Sequence, residues 1–130
     1  MKRRRSALVL AAGAGVVLLT TPAVAATVTY SIPDSGLTKG QKTYYTTAHY
    51  VNVSGGDVEV DKTDGPAISI SWYLCGQPGT GGTWKSFPNA DPTGYIVLGT
   101  NFVNGAKYCL AAWDTGGSNA TDTWRGSGKS

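Results

Sequence analysis

The sequence predicts an all-β fold, a small antiparallel β-sandwich closed by one disulfide, on three observations. Helical periodicity is missing after residue 26, while period-two alternation recurs. Glycine-rich, Asn-Gly and Asp-Gly-Pro breaks cut these stretches into seven or eight short strands. Two cysteines, Cys75 and Cys109, stand in a chain that opens like a secreted protein, and there an even pair reads as a disulfide. A small barrel is the alternative architecture.

The opening MKRRRS is a basic segment, ALVLAAGAGVVLLT an apolar one, and TPAVAA a small-residue cleavage region. That is the anatomy of a secretory signal peptide over residues 1–25. The apolar run, Ala7 to Thr20, is shorter than the roughly 20 residues a membrane span needs. The expectation is therefore a single domain over residues 26–130, secreted and extracellular, with no membrane contact after signal cleavage. The Ala/Gly-rich leader suits a bacterial product. Charge follows the same division. The chain has 11 Lys+Arg and 8 Asp+Glu, and Lys2, Arg3, Arg4 and Arg5 fall in the leader. The remainder is close to neutral, which argues against nucleic acid as a partner.

The elements follow in order. TVTYSI puts Val28, Tyr30 and Ile32 on one face, and Pro33 to Gly36 are expected to end that strand. The same stretch could add to a partner's sheet, but an ordinary first strand is favoured. KTYYTTAHYVNVS, Lys42 to Ser54, is a long β-rich run with Tyr45, His49 and Val51 on one face and Tyr44, Ala48 and Tyr50 on the other. Gly55-Gly56 is expected to make a hairpin turn into DVEV, with Val58 and Val60 inward. After Asp64-Gly65-Pro66 comes the clearest strand, AISISWYLC, where Ile68, Ile70, Trp72 and Leu74 form a core face. TWKSF is a short candidate, YIVLG a strand, and Asn104-Gly105 a turn into KYCLAAW. TDTW is expected at a sheet edge, and RGSGKS as a frayed tail. A Cys75–Cys109 bridge closes 34 positions, for which chain-entropy arguments give about 3–4.5 kcal/mol.

KYCLAAWD resembles a segment of antibody light-chain variable domains over eight residues. Trp72 precedes Cys75, and Tyr108 adjoins Cys109, so the immunoglobulin order and tyrosine spacing are not met. The similarity is read as chance. An immunoglobulin-like topology stays compatible with the pattern, and no immune-type function follows from it.

Several chemical motifs fall short. GSGKS lacks the upstream glycine and the following helix of a phosphate loop. Asp57, Glu59, Asp61 and Asp64 suit a hard cation, but the glycine of an EF-hand is misplaced, so a solvated strand face is preferred. His49 is the single histidine, and no G-x-S-x-G elbow accompanies it. Asp91 with Asp114 could form a carboxylate pair, but about 104 residues rarely build the cleft it needs. No enzyme activity, metal or cofactor is expected. Asn52 and Asn119 head glycosylation sequons, which carry nothing in a bacterial product.

The aromatic residues give the strongest functional signal. Trp84, Trp113 and Trp124 each adjoin a charged residue and border Gly/Thr/Ser loops, Gln77 to Trp84 and Asp114 to Trp124. Each is either a plug at the end of the sandwich or an exposed binding residue. The expectation is a secreted protein-binding module, an inhibitor of a secreted enzyme or an adaptor in an extracellular complex. Its binding residues are Trp84, Trp113, Asp114 and Trp124. The alternative is a stand-alone carbohydrate-binding module with the three tryptophans as a flat platform for polysaccharide. A hydrolase built on His49 is the third class.

Overall fold

Nine strands and no helix make up the described part of the chain, residues 26–89, 92–115 and 121–130 of the computed structural model. The expected leader lies outside these residues. The strands are β1 (Thr29–Thr38), β2 (Lys42–Tyr44), β3 (His49–Tyr50), β4 (Gly56–Asp64), β5 (Ile68–Tyr73), β6 (Lys85–Phe87), β7 (Ile96–Phe102), β8 (Lys107–Asp114) and β9 (Thr121–Lys129). One sheet runs β1-β9-β4-β7, the other β2-β8-β5-β6, with β3 also paired to β8.

Because β2 and β3 both pair with β8, they occupy one interrupted strand position. Counted so, first pairs with last, second with seventh, third with sixth and fourth with fifth. The chain is one long antiparallel ribbon doubled over, and the β4·β9 and β5·β8 pairings close it into two sheets. This is the order of a jelly roll. In the immunoglobulin order the first two strands are neighbours in one sheet; here β1 and β2 lie in opposite sheets.

The core lies between the sheets. Ile32, Leu37, Val58, Val60, Leu98 and Trp124 come from one, Ile68, Ile70, Phe87, Tyr108, Leu110 and Ala112 from the other. The inward Val58 and Val60 and the alternation of Ile68 and Ile70 are as the sequence predicts. A smaller cluster covers the outer face of the second sheet, where Tyr73, Cys109 and Ala111 are buried beneath Tyr44, Ala48 and Trp84. The Cys75–Cys109 disulfide joins the segment just beyond β5 to β8 on that side, with Cα atoms 5.1 Å apart.

Several expectations are corrected. Pro33 to Gly36 do not end the first strand; β1 runs through them with a shift in register between Ile32 and Ser35, a bulge on an edge strand. The Lys42 to Ser54 run is broken between Tyr44 and His49. The Gly55 turn is no hairpin, because it carries the chain from β3 in one sheet to β4 in the other; Gly56 N donates to Val53 O and Gly55 N to Phe102 O. Leu74 lies beyond β5 and is 43% exposed, while Trp72 is half-buried against Phe102. The segment expected at an edge, followed by a frayed tail, is β9, which lies between β1 and β4. Ser130 is itself buried, exchanges backbone hydrogen bonds with Val28 and donates its Oγ to Tyr50 O at 3.0 Å.

Candidate functional site

Pairing in the second sheet sets the outward rows. Lys42 stands opposite Trp113, and Trp113 opposite Ser69; Tyr44 opposes Ala111, which opposes Ser71; Cys109 opposes Tyr73. Small residues occupy the middle of this face, so the bulky rings at its margins lean across it. Tyr44 and Tyr73 meet edge to face at 5.1 Å, and Tyr73 Oη donates to Tyr45 O at 2.6 Å. Burial pushes the Tyr73 phenol upward in pKa, with Tyr44 adding to the effect.

Trp84 and Trp113 meet here, far apart in sequence but with ring centroids 6.2 Å apart at 74°. Lys42 Nζ sits 5.4 Å from the first ring and 5.2 Å from the second. Both rings are half-buried, and the ammonium over two ring faces is a cation–π arrangement. Trp84 is delivered by a loop stitched onto β5. Gly82 N donates to Trp72 O, Leu74 N to Thr80 O, and Ser71 Oγ to Gly82 O at 2.9 Å. Gly81 and Gly82 are needed in that loop, because a Cβ at the first would meet the Trp72 and Tyr73 backbone and at the second the Trp72 indole. Beside the rings the loop leaves a cavity of about 80 Å³ lined by Tyr44, Tyr73 and Trp84, small against the few hundred Å³ of ordinary ligand pockets.

The other two expected binding residues are placed elsewhere. Trp124 is 1% exposed. Its indole N–H donates to Tyr45 Oη at 2.8 Å, and Tyr45 Oη donates on to Gly36 O at 3.0 Å. Of the two readings of this residue it is the core plug, because position 124 faces inward from a central strand. Burial pushes the Tyr45 phenol up to about 12, partly offset by the Trp124 N–H. Asp114 is also 1% exposed; it ends β8 opposite Ile68, and its carbonyl accepts from Gly40 N. The loop after Asp114 falls partly on residues 116–120, outside the described ones, as do Asn119 and Asp91. Lys42, Tyr44 and Tyr73 were missed as members of the site. Tyr44 carried a signal, its place opposite Tyr45 in the alternating run, but nothing local told which strand it would pair with.

His49 stacks on Tyr30 with centroids 3.9 Å apart at 17°, and lies 5.5 Å from the Tyr108 ring. Burial moves the imidazole down from its usual pKa. The acidic strand is spread among cationic and hydroxyl partners. Glu59 pairs with Lys129 at 3.0 Å, Asp64 with Arg125 at 3.0 Å, and Thr93 Oγ1 donates to Asp61 Oδ1 at 3.3 Å. Among the described residues no three His, Cys, Asp or Glu side chains gather as a cation site.

No protein-family model matches the chain, and neither a curated protein nor a solved structure does.

Proposed function

We propose that this chain is a secreted, non-catalytic protein-binding module that acts outside the cell as an inhibitor or adaptor. The observation that carries this reading is the Lys42–Trp84–Trp113 cluster on the outer face of the second sheet. Tryptophan rings fixed on a rigid sheet and partly open to solvent are the residues that dominate protein interfaces. The 74° between the two rings favours protein over sugar, because a stacking platform for polysaccharide needs coplanar rings and the third tryptophan is in the core. The disulfide is compatible with an extracellular location.

The test is to immobilise the wild-type protein and the Trp113→Ala variant and pass the producing organism's culture supernatant over both. A stoichiometric protein held by the wild type and lost by a folded variant supports the reading. A protein held equally by both moves the interface off this face. Retention of soluble polysaccharide instead of protein gives the carbohydrate-binding alternative.

A further inference from the structure

Two irregularities of the sandwich face each other across one opening. In β1 the register with β9 shifts between Ile32 and Ser35, leaving Pro33 and Asp34 out of the ladder. On the other side the second strand position is interrupted between Tyr44, the end of β2, and His49, the start of β3. Bulges and strand breaks of this kind recur beside binding sites, where they open a sheet margin. Here they flank a cavity of about 100 Å³ that reaches the core, with Leu110 and Trp124 at its base. Ile32 and Pro33 line it from β1, and Tyr45, Thr47 and His49 from the interrupted strand.

The lining is held in place before anything binds. Tyr45 is fixed between Trp124 and Gly36 by its two hydrogen bonds. His49 is fixed by its stack on Tyr30, whose hydroxyl meets that of Tyr108 at 2.8 Å. No Lys, Arg, Asp or Glu lines the cavity. Ser31 and Thr47 at the rim are exposed. Among the described residues, no side-chain hydrogen bond within the chain engages their hydroxyls or the His49 nitrogens.

We propose that this cavity is a binding site for an uncharged, ring-sized group bearing one hydroxyl, of the phenol class. At about 100 Å³ the cavity is smaller than the closed apolar cavity of about 150 Å³ that accepts benzene, but it is open at the rim, so a ring can enter edge first with its substituent left outside. Charge is disfavoured because an ion against Leu110 and Trp124 would lose its hydration with no counter-charge in the lining. The indole offers a ring for stacking or edge contact. The rim offers two hydroxyls and an imidazole that burial keeps neutral near pH 7, one nitrogen donating and the other accepting. A ligand hydroxyl, which both donates and accepts, matches that set. The same chemistry is presented by a free phenol and by a tyrosine side chain on a peptide. The site is separate from the Lys42–Trp84–Trp113 face and does not rest on the function proposed for it.

The test is a titration of the isotope-labelled protein with phenol, with the capped peptide Gly-Tyr-Gly, and with benzoate, read at the Trp124 indole and His49 ring resonances. Saturable shifts at both residues with phenol, and binding of benzoate about tenfold weaker or more, are the expected result. Thr47→Phe, at an exposed rim position, should weaken phenol binding by about tenfold or more while keeping the native spectrum. If that variant loses its fold, Ser31→Leu on the exposed side of β1 provides the block instead. Tighter binding of the peptide than of phenol identifies a pocket that reads tyrosine on a protein, and the reverse identifies a free small molecule. The proposal is overturned if neither phenol nor the peptide shifts Trp124 and His49, if benzoate binds as well as phenol, or if the blocked variant binds like the wild type.

Discussion

Tyr30 lies over Gly128, its register partner in β9, and so reaches across the sandwich to Tyr108 in the opposite sheet. The arrangement explains the glycine spacing of RGSGKS without any phosphate. Gly128 leaves the space the Tyr30 ring fills, and a Cβ at Gly126 would meet the Asp61 carbonyl on β4. His49 also stacks on Tyr30. Four strands from two sheets, β1, β9, β8 and β3, thus meet at one ring.

Replacing Gly128 by valine should therefore displace Tyr30 and break its hydrogen bond to Tyr108. The expected loss of stability is about 1–3 kcal/mol, the range for overpacking a well-filled interior. Urea unfolding of Gly128→Val, Tyr30→Ala and the double variant checks it. The double variant should lose clearly less than the sum of the singles, since the shorter residue at 30 relieves the clash. Additive losses would mean that the two positions do not compete for space.

The buried phenols make the fold sensitive to alkali. Tyr30, Tyr45 and Tyr108 are all raised above their unfolded pKa, chiefly by burial. A raised group gives stability that is fully present below about pH 10, the unfolded value, and is lost as pH climbs toward the folded one, about 12 for Tyr45. Stability should fall above pH 10, and Tyr45→Phe should fall less steeply. His49 acts with the opposite sign at the acid side. Its folded pKa is depressed, so stability is present above about pH 6.5 and declines as pH drops below it. Denaturant midpoints from pH 5 to pH 11 for wild type, Tyr45→Phe and His49→Phe measure both slopes. Parallel curves for all three proteins would contradict the assignment.

Local pattern carried much of the fold into the sequence. Val58 and Val60, Ile68 and Ile70 alternate because one face of each strand meets the other sheet, and Cys75 and Cys109 bond because β5 and β8 are neighbours. What failed depended on partners distant in the chain. Glycine-rich RGSGKS reads as loose until Tyr30 is laid over it, and nothing near Trp124 says that its strand is central. The candidate site was half legible for the same reason. Trp84 and Trp113 stood out by type, whereas Lys42 joins them only through the β2–β8 register.

Removing the disulfide should destabilise the protein without changing its strand content. Cys75→Ser with Cys109→Ser frees a loop of 34 positions in the unfolded chain, worth about 3–4.5 kcal/mol in chain-entropy terms. Because Cys109 is fully buried, the serine hydroxyl there adds a desolvation cost, and Cys109→Ala separates the two effects. Thermal melts of both double variants under oxidising conditions should fall by about 12 °C or more, the serine variant further than the alanine one. An unchanged melting temperature would rule out a stabilising bridge.

The aromatic face and the aromatic core should separate by mutation. Trp113 and Trp84 rest on the outer face of the second sheet, half-buried, with Lys42 over both. Trp124 fills the space between the sheets and holds Tyr45. Truncating Trp124 to alanine should cost about 3–5 kcal/mol of stability, the range for a buried aromatic. Truncating Trp113 should cost far less stability but about 2 kcal/mol or more of affinity for the captured partner. Lys42→Met keeps an apolar stem over both rings while removing the charge, so it tests whether the ammonium contributes through the rings or toward an acidic partner. Loss of affinity that vanishes at high salt assigns the charge to the partner; loss of stability alone assigns it to the rings. If Trp113→Ala unfolds as readily as Trp124→Ala, the outer cluster is structural and the interface lies on another face.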